Sequence, residues 1–232
     1  MRIVSLNGIF FKFGRAALPR QYQDQESPAI TFQIAKILTE RPTFLALGMS
    51  VIAEHSEAES YLSSMMISLL GADPAPGAAI FNAVRNNNLQ IKAICDVASV
   101  VLIESDFKKL KLSLKSLEAS AEFRNTIAHR IWGVDKNIPD CVILAKSNAA
   151  SNFSMDISYI PQAKNDQDRK TIEDNAVKLM NSKFEIWDVD DFKRALDLAC
   201  EAKSALQRLW MEISMKGLQR SIETATAFRR VD

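Results

Sequence analysis

Apolar side chains recur every three to four residues along most of this chain, and that spacing predicts helices. Leu47, Val51, Ala58, Leu62, Met65 and Leu69 mark a long helix over about 44–70, which Gly71 is placed to end. A shorter helix precedes it, over about 29–40, and stops before Pro42. Pro74 and Pro76 punctuate, a short helix fits 77–84, and Asn86, Asn87 and Asn88 form a turn cluster. Ile91, Ile94, Val97 and Val101 then line a helix over 89–103. The cleanest pattern begins at Ser105, a suitable N-cap, and runs to about Trp132, with Gly133 as its stop. There Phe107, Leu110, Leu114, Leu117 and Ala121 alternate steps of three and four. Phe192, Leu196, Ala199, Leu206, Leu209 and Ile213 supply a last long helix over 189–216.

The pattern changes between those last two helices. Residues 141–146 and 153–160 read as two strands of a hairpin joined by 147–152, and 184–187 adds a short third strand. Residues 164–182 are polar and read as a loop with at most one helical turn. The first 28 residues read as an N-terminal arm or loop. Met1 to Leu18 is a short strand, an arm or a partner-facing segment, and Pro19 to Pro28 is a Gln-rich loop. Residues 219–232 read as a polar tail, or as a further helix in an oligomer. The expected fold is therefore mainly α: a bundle of four to five main helices over 29–218, with a small β-hairpin insertion (about 141–187) before the last helix.

Composition supports this. Hydrophobic residues make up 47% of 232, ample for a core, while seven Gly and seven Pro are too few for a barrel of many tight turns. The net charge of +1 neither demands nucleic acid nor excludes a local basic patch. Cys95, Cys141 and Cys200 are scattered and odd in number, which suits a reducing cytoplasm better than a disulfide framework. No apolar run approaches the roughly 20 residues of a membrane span, and Lys12 and Arg15 break up the start, so neither signal peptide nor anchor is expected. No P-loop, dinucleotide fingerprint or zinc spacing appears, so no cofactor and no metal is expected.

One short stretch stands out. Continuing the seam beyond Ala121 places Arg124 where the register asks for an apolar side chain. A guanidinium there is costly unless it has a partner or faces a cleft. Asn125 and His129 are four apart and share a helix face, and His129 lies roughly 140° around the helix from Arg124. Histidine can accept and donate protons near neutral pH. Arginine binds a phosphate through parallel hydrogen bonds and stabilises charge building on it. Asparagine orients the imidazole or binds a phosphate oxygen. These types suit cleavage of RNA by its own 2′-hydroxyl, and a two-fold dimer would supply a second His129 and Arg124.

Arg124-Asn125-x-x-x-His129 resembles the R-x4–6-H motif of the HEPN superfamily, including the frequent Asn after the Arg. The setting near the end of a long helix in a helical bundle is also similar. The resemblance rests on about 30 residues and the general helical layout. It implies a metal-independent endoribonuclease of the toxin–antitoxin or phage-defence kind, working as a homodimer on RNA, with an antitoxin or regulatory protein as a further partner. Arg124 and His129 would then be catalytic, with Asn125 supporting them. The alternative it leaves open is a non-catalytic HEPN-like helical module that binds RNA or a protein partner.

Each of these residues also has an ordinary explanation. Arg124 can pair with a core carboxylate, and His129 can sit at a helix C-terminus, where a cation is favoured. His55 falls on the apolar stripe of the 44–70 helix and reads as a satisfied core histidine, with Glu54 or Glu57 as a cross-bundle partner for Arg124. Lys108, Lys111 and Lys115, with Lys109 beside them, read as a solvated face rather than an RNA track. Trp132 and Trp187 read as core closure rather than base-stacking platforms, and Met65-Met66 as core filling.

Overall fold

The structure is a computed structural model that describes residues 2–6, 9–13, 20–21, 30, 32 and 34–228. Most of the arm over 1–28, the start of the helix expected at 29 and the last four residues lie outside the described residues. The described part is mainly α, with a small antiparallel sheet before the last helix. The chain divides into two compact units, Met1–Thr39 with Ile131–Asp191, and Glu40–Arg130 with Phe192–Asp232.

The second unit is the helical one. Helix α1 (Ile34–Glu40) belongs, but for its last residue, to the first unit, and α2 (Pro42–Leu70) starts on a proline, a residue that costs nothing where no N–H is needed. Helix α2 ends as expected at Gly71, whose φ of 59° is comfortable only for glycine. Helices α3 (Pro74–Ala83) and α4 (Asn87–Val101) follow, the latter capped by the Asn86 side chain, which accepts from Leu89 N at 3.1 Å. Helix α5 spans Glu104–His129. It begins one residue before Ser105 and has no side-chain cap bond, and it ends three residues before Trp132.

The apolar stripes meet as their spacing predicts. Leu62, Met65 and Leu69 of α2, Ile94 and Ala98 of α4, and Leu110, Leu114 and Leu117 of α5 form one core with Leu206, Leu209 and Ile213 of the last helix. Each is nearly inaccessible to water. Burial on this scale contributes about 1.5–3 kcal/mol per large aliphatic side chain.

The first unit holds the sheet. Strands β1 (Arg2–Leu6) and β2 (Ile9–Phe13) form a separate hairpin within the expected arm. The four-stranded sheet combines β3 (Arg20–Gln21), β4 (Ile131–Gly133), β5 (Cys141–Ala145) and β6 (Phe184–Asp188) in the order β3-β6-β5-β4, all antiparallel. The strand expected at 141–146 is present, and so is the one at 184–187. The expected hairpin partner over 153–160 is instead helix α6 (Ser147–Tyr159), and the expected loop over 164–182 is helix α7 (Asp166–Lys183).

The reason is visible in the side chains. Phe153, Met155, Ile157 and Tyr159 alternate like a strand, yet only Phe153 is buried, while Met155 and Tyr159 are more than half exposed. Phe153 packs edge-on against Phe32 and Phe184, at 6.1 and 5.5 Å between ring centroids. Helix α7 buries only a narrow stripe, Ala176 and Met180 four apart, and is otherwise polar. The Asn165 side chain caps its start, accepting from Asp168 N at 2.8 Å. Gly133 is required where it stands, because a Cβ there would lie 2.8 Å from the Phe32 ring.

Helix α8 (Val189–Phe228) closes the chain. Asp188 Oδ1 accepts from the N–H groups of Asp190 and Asp191, and Asp191 Oδ2 accepts from Asp188 N, each at 3.0 Å. This reciprocal capping fixes where the helix begins. The segment read as a tail from 219 continues this helix to Phe228.

Candidate functional site

The end of α5 carries the motif. Arg124 is half-buried, and its Nη1 donates to Asn125 Oδ1 at 3.0 Å. Its Nε is buried and has no hydrogen-bond partner among the described residues. A buried donor left unmet costs about 1–3 kcal/mol, which makes Arg124 a position where a water or a ligand oxygen would be bound favourably. His129 sits in the last turn of α5, exposed to solvent, with no hydrogen bond or ion pair among the described residues. The structure thus brings Arg124 and Asn125 into contact and keeps His129 on the same helix, one and a half turns beyond Arg124.

Below Arg124 lies a polar cluster inside the bundle. His55 of α2 is buried, with 1% of its surface accessible. Its Nδ1 pairs with Ser120 Oγ of α5 at 3.0 Å, and its Nε2 lies 3.4 Å from Glu59 Oε1. Glu59 Oε1 also accepts from Asn87 Nδ2, at the start of α4, at 3.1 Å. The His55 hydrogen bond, His55 charge and the nearby Arg124 guanidinium together hold the Glu59 carboxyl below its ordinary value, against the opposing effect of burial. His55 is therefore the satisfied core histidine expected of it.

The partner expected for Arg124 is corrected. Glu54 and Glu57 both bind Lys203 of α8, at 2.5 and 3.3 Å, and Glu59 is the carboxylate whose field reaches Arg124. Sequence reasoning passed over Glu59 and Ser120, although both had a signal. Glu59 is four residues after His55 and Ser120 is four before Arg124, so each shares a helix face with a residue already singled out.

The lysines of α5 are mostly engaged. Lys108 pairs with Glu104 at 2.6 Å, Lys109 with Glu212 at 2.6 Å, and Lys111 lies over the Phe107 ring. Trp187 is 1% exposed, too enclosed to stack on a base, and Trp132 is half-buried in β4. The three cysteines are free thiols. No helix among the described residues is long and apolar enough to cross a membrane.

Comparison with family models, with curated proteins and with solved structures finds no match to this chain.

Proposed function

We propose that this chain is a metal-independent endoribonuclease of the HEPN type, acting in the cytoplasm as a homodimer, with toxin or phage-defence action as its setting. The observation that carries the proposal is the state of Arg124. It occupies a seam position in α5 and keeps a buried N–H without a partner, five residues before an exposed histidine. Arg124 would hold the scissile phosphate, with Asn125 fixing one of its amino groups, and stabilise the charge that builds on it. His129 would shuttle protons between the 2′-hydroxyl and the leaving oxygen, and the second copy would complete the acid–base pair. An antitoxin or other regulatory protein would be a further partner.

The test is cleavage of mixed single-stranded and transfer RNA in EDTA by wild type and by an Arg124→Ala/His129→Ala double variant. EDTA silences contaminating nucleases that use metals. Cleavage by wild type alone supports the proposal, and equal cleavage by both sinks it. A second reading, a non-catalytic helical module that binds RNA or a protein, is favoured by an apolar surface on α8 that catalysis does not need.

A further inference from the structure

Helices α6 and α7 meet in a groove of about 550 Å³ that lies wholly within the first unit. A groove of this size takes one small ligand or one unit of a polymer. The packed faces of the two helices point away from it into the core, through Ala150 and Phe153 of α6 and Ala176 and Met180 of α7. On the groove side α6 presents Asn152, Met155, Asp156 and Tyr159, which fall within about 100° of one another around the helix. Across from them α7 presents Asn175 and Lys178, with Leu179 as a floor partly buried against the same core. The short connection over 160–165 makes the two helices antiparallel neighbours. Asp156 and Tyr159 therefore share one end of the groove with Asn175, and Asn152 stands about 10 Å from Tyr159 along α6.

The polar lining is left unused by the fold. The side chains of Asn152, Asp156, Asn175 and Lys178 form no hydrogen bond or ion pair among the described residues. Elsewhere on α7 a charged pair does form, Arg169 bonding Glu173 at 3.0 Å. Asp156 and Lys178 carry opposite charges in one groove and still do not pair. Met155 and Tyr159 are 60% and 54% exposed, so the groove is open along its top and a chain can pass through it.

We infer that this groove is a subsite for one guanine base of single-stranded RNA. The inference rests on the proposed function for the polymer, since a ribonuclease must hold RNA somewhere and the lysines of α5 are mostly engaged. Unpaired bases are held by stacking on an aromatic ring, by hydrogen bonds to the base edge and by a cation on the phosphate. Tyr159 supplies the ring, with the Met155 thioether beside it, and Lys178 supplies the cation. Asp156 selects the base. A carboxylate only accepts hydrogen bonds, and guanine alone sets two donors, N1–H and N2–H, side by side on its pairing edge. Adenine and cytosine place an acceptor beside their amino group, and uracil flanks its N3–H with two carbonyls. The Asn175 carboxamide can then donate to guanine O6. An amphipathic helix would need apolar anchors at every turn, whereas Met155 and Leu179 are the aliphatic members of the lining.

The experiment measures binding of the full wild-type chain, by fluorescence anisotropy, to short 2′-O-methyl oligouridylates with and without one central guanosine. The methyl group removes the attacking hydroxyl, so binding is read without cleavage. The guanosine is expected to tighten binding by about 5- to 150-fold, the usual discrimination of a bidentate contact. Tyr159→Ala is expected to weaken the guanosine oligomer by a similar factor, roughly that of one stacked base. Lys178→Ala is expected to lower the slope of affinity against salt by about one. Asp156→Asn is expected to lose the guanosine preference and to gain one for xanthosine, whose O2 accepts where guanine N2 donates. Unchanged far-ultraviolet helicity shows that each variant folds. Equal binding of the two oligomers overturns the inference, as does a guanosine preference that survives both Tyr159→Ala and Asp156→Asn. Free guanosine monophosphate bound as tightly as the oligomer would assign the groove to a mononucleotide and overturn the RNA assignment. Cleavage of ordinary RNA decides the ribonuclease reading separately. Guanosine-dependent binding without cleavage upholds the subsite and removes that reading, and cleavage without a guanosine preference does the reverse.

Discussion

The two histidines of this chain occupy opposite environments on neighbouring long helices. His55 is enclosed in the bundle, with Ser120 on one ring nitrogen and Glu59 on the other. His129 stands exposed in the last turn of α5, with neither nitrogen engaged among the described residues. Enclosure commits His55 to structure, because both nitrogens are already used. Exposure leaves His129 available for proton transfer. Arg124 belongs partly to each setting: Glu59 charge reaches it from below, while its Nε has no partner. The lesson is that residue type alone does not tell an engaged histidine from an accessible one; its hydrogen-bond partners do.

The largest expected effect that separates the pair is on catalysis. Under the proposed ribonuclease function, His129→Ala should lower RNA cleavage by about 10²–10⁴-fold, the usual worth of a general acid–base, while leaving the thermal midpoint unchanged. Initial rates and a melting curve on the same sample check this. A large loss of stability in His129→Ala would show that His129 is structural after all.

His55→Ala should do the reverse to stability. It opens a cavity and strips Ser120 of its partner, which together cost about 2–4 kcal/mol in urea unfolding. Ser120→Ala removes one hydrogen bond and leaves His55 one partner short, so about 1–2 kcal/mol is expected by the same measurement.

A pH titration sharpens the contrast further. The Glu59 carboxyl is held below its ordinary value, so its contribution to stability is present above the ordinary carboxylate range. That contribution is lost as pH falls through the lowered folded-state value. Glu59→Gln should therefore narrow the stability difference between neutral and acid pH, by a modest amount because Glu59 is about one-third exposed. A variant whose acid dependence equals that of wild type would remove Glu59 from the account. The smallest effect is expected at Lys115, exposed on the outer side of α5. Its replacement by Ala should change stability by less than about 0.5 kcal/mol.

Much of the helical unit was legible in the chain. Helices α2, α4 and α5 each carry an apolar stripe over at least four turns and form within a few residues of their predicted spans, whereas α8 begins where predicted and runs twelve residues further, to Phe228. The candidate motif was legible as well, since Arg124 interrupts a seam that is otherwise apolar. The cluster beneath it was not, because Glu54, Glu57 and Glu59 all lie within five residues and periodicity does not say which faces α5. Lys203, arriving from α8, takes the first two and leaves Glu59 beside His55.

The sequence by itself determined that this protein is mainly helical, where α2, α4 and α5 run, where α8 begins and where Gly71 ends α2. These are local matters, settled by a 3.6-residue period and the conformational freedom of one glycine. Tertiary structure decided the rest. The segment from 153 to 160 fits a period of two or of 3.6, and the Phe32, Phe153 and Phe184 rings made it a helix by burying one side chain in four. β5 found its partners in β4 and β6 because a fully buried strand needs hydrogen bonds on both edges, whatever the distance along the chain. Met211, Met215, Leu218 and Ile222 of α8 are exposed only because the core claimed the opposite side of the same helix.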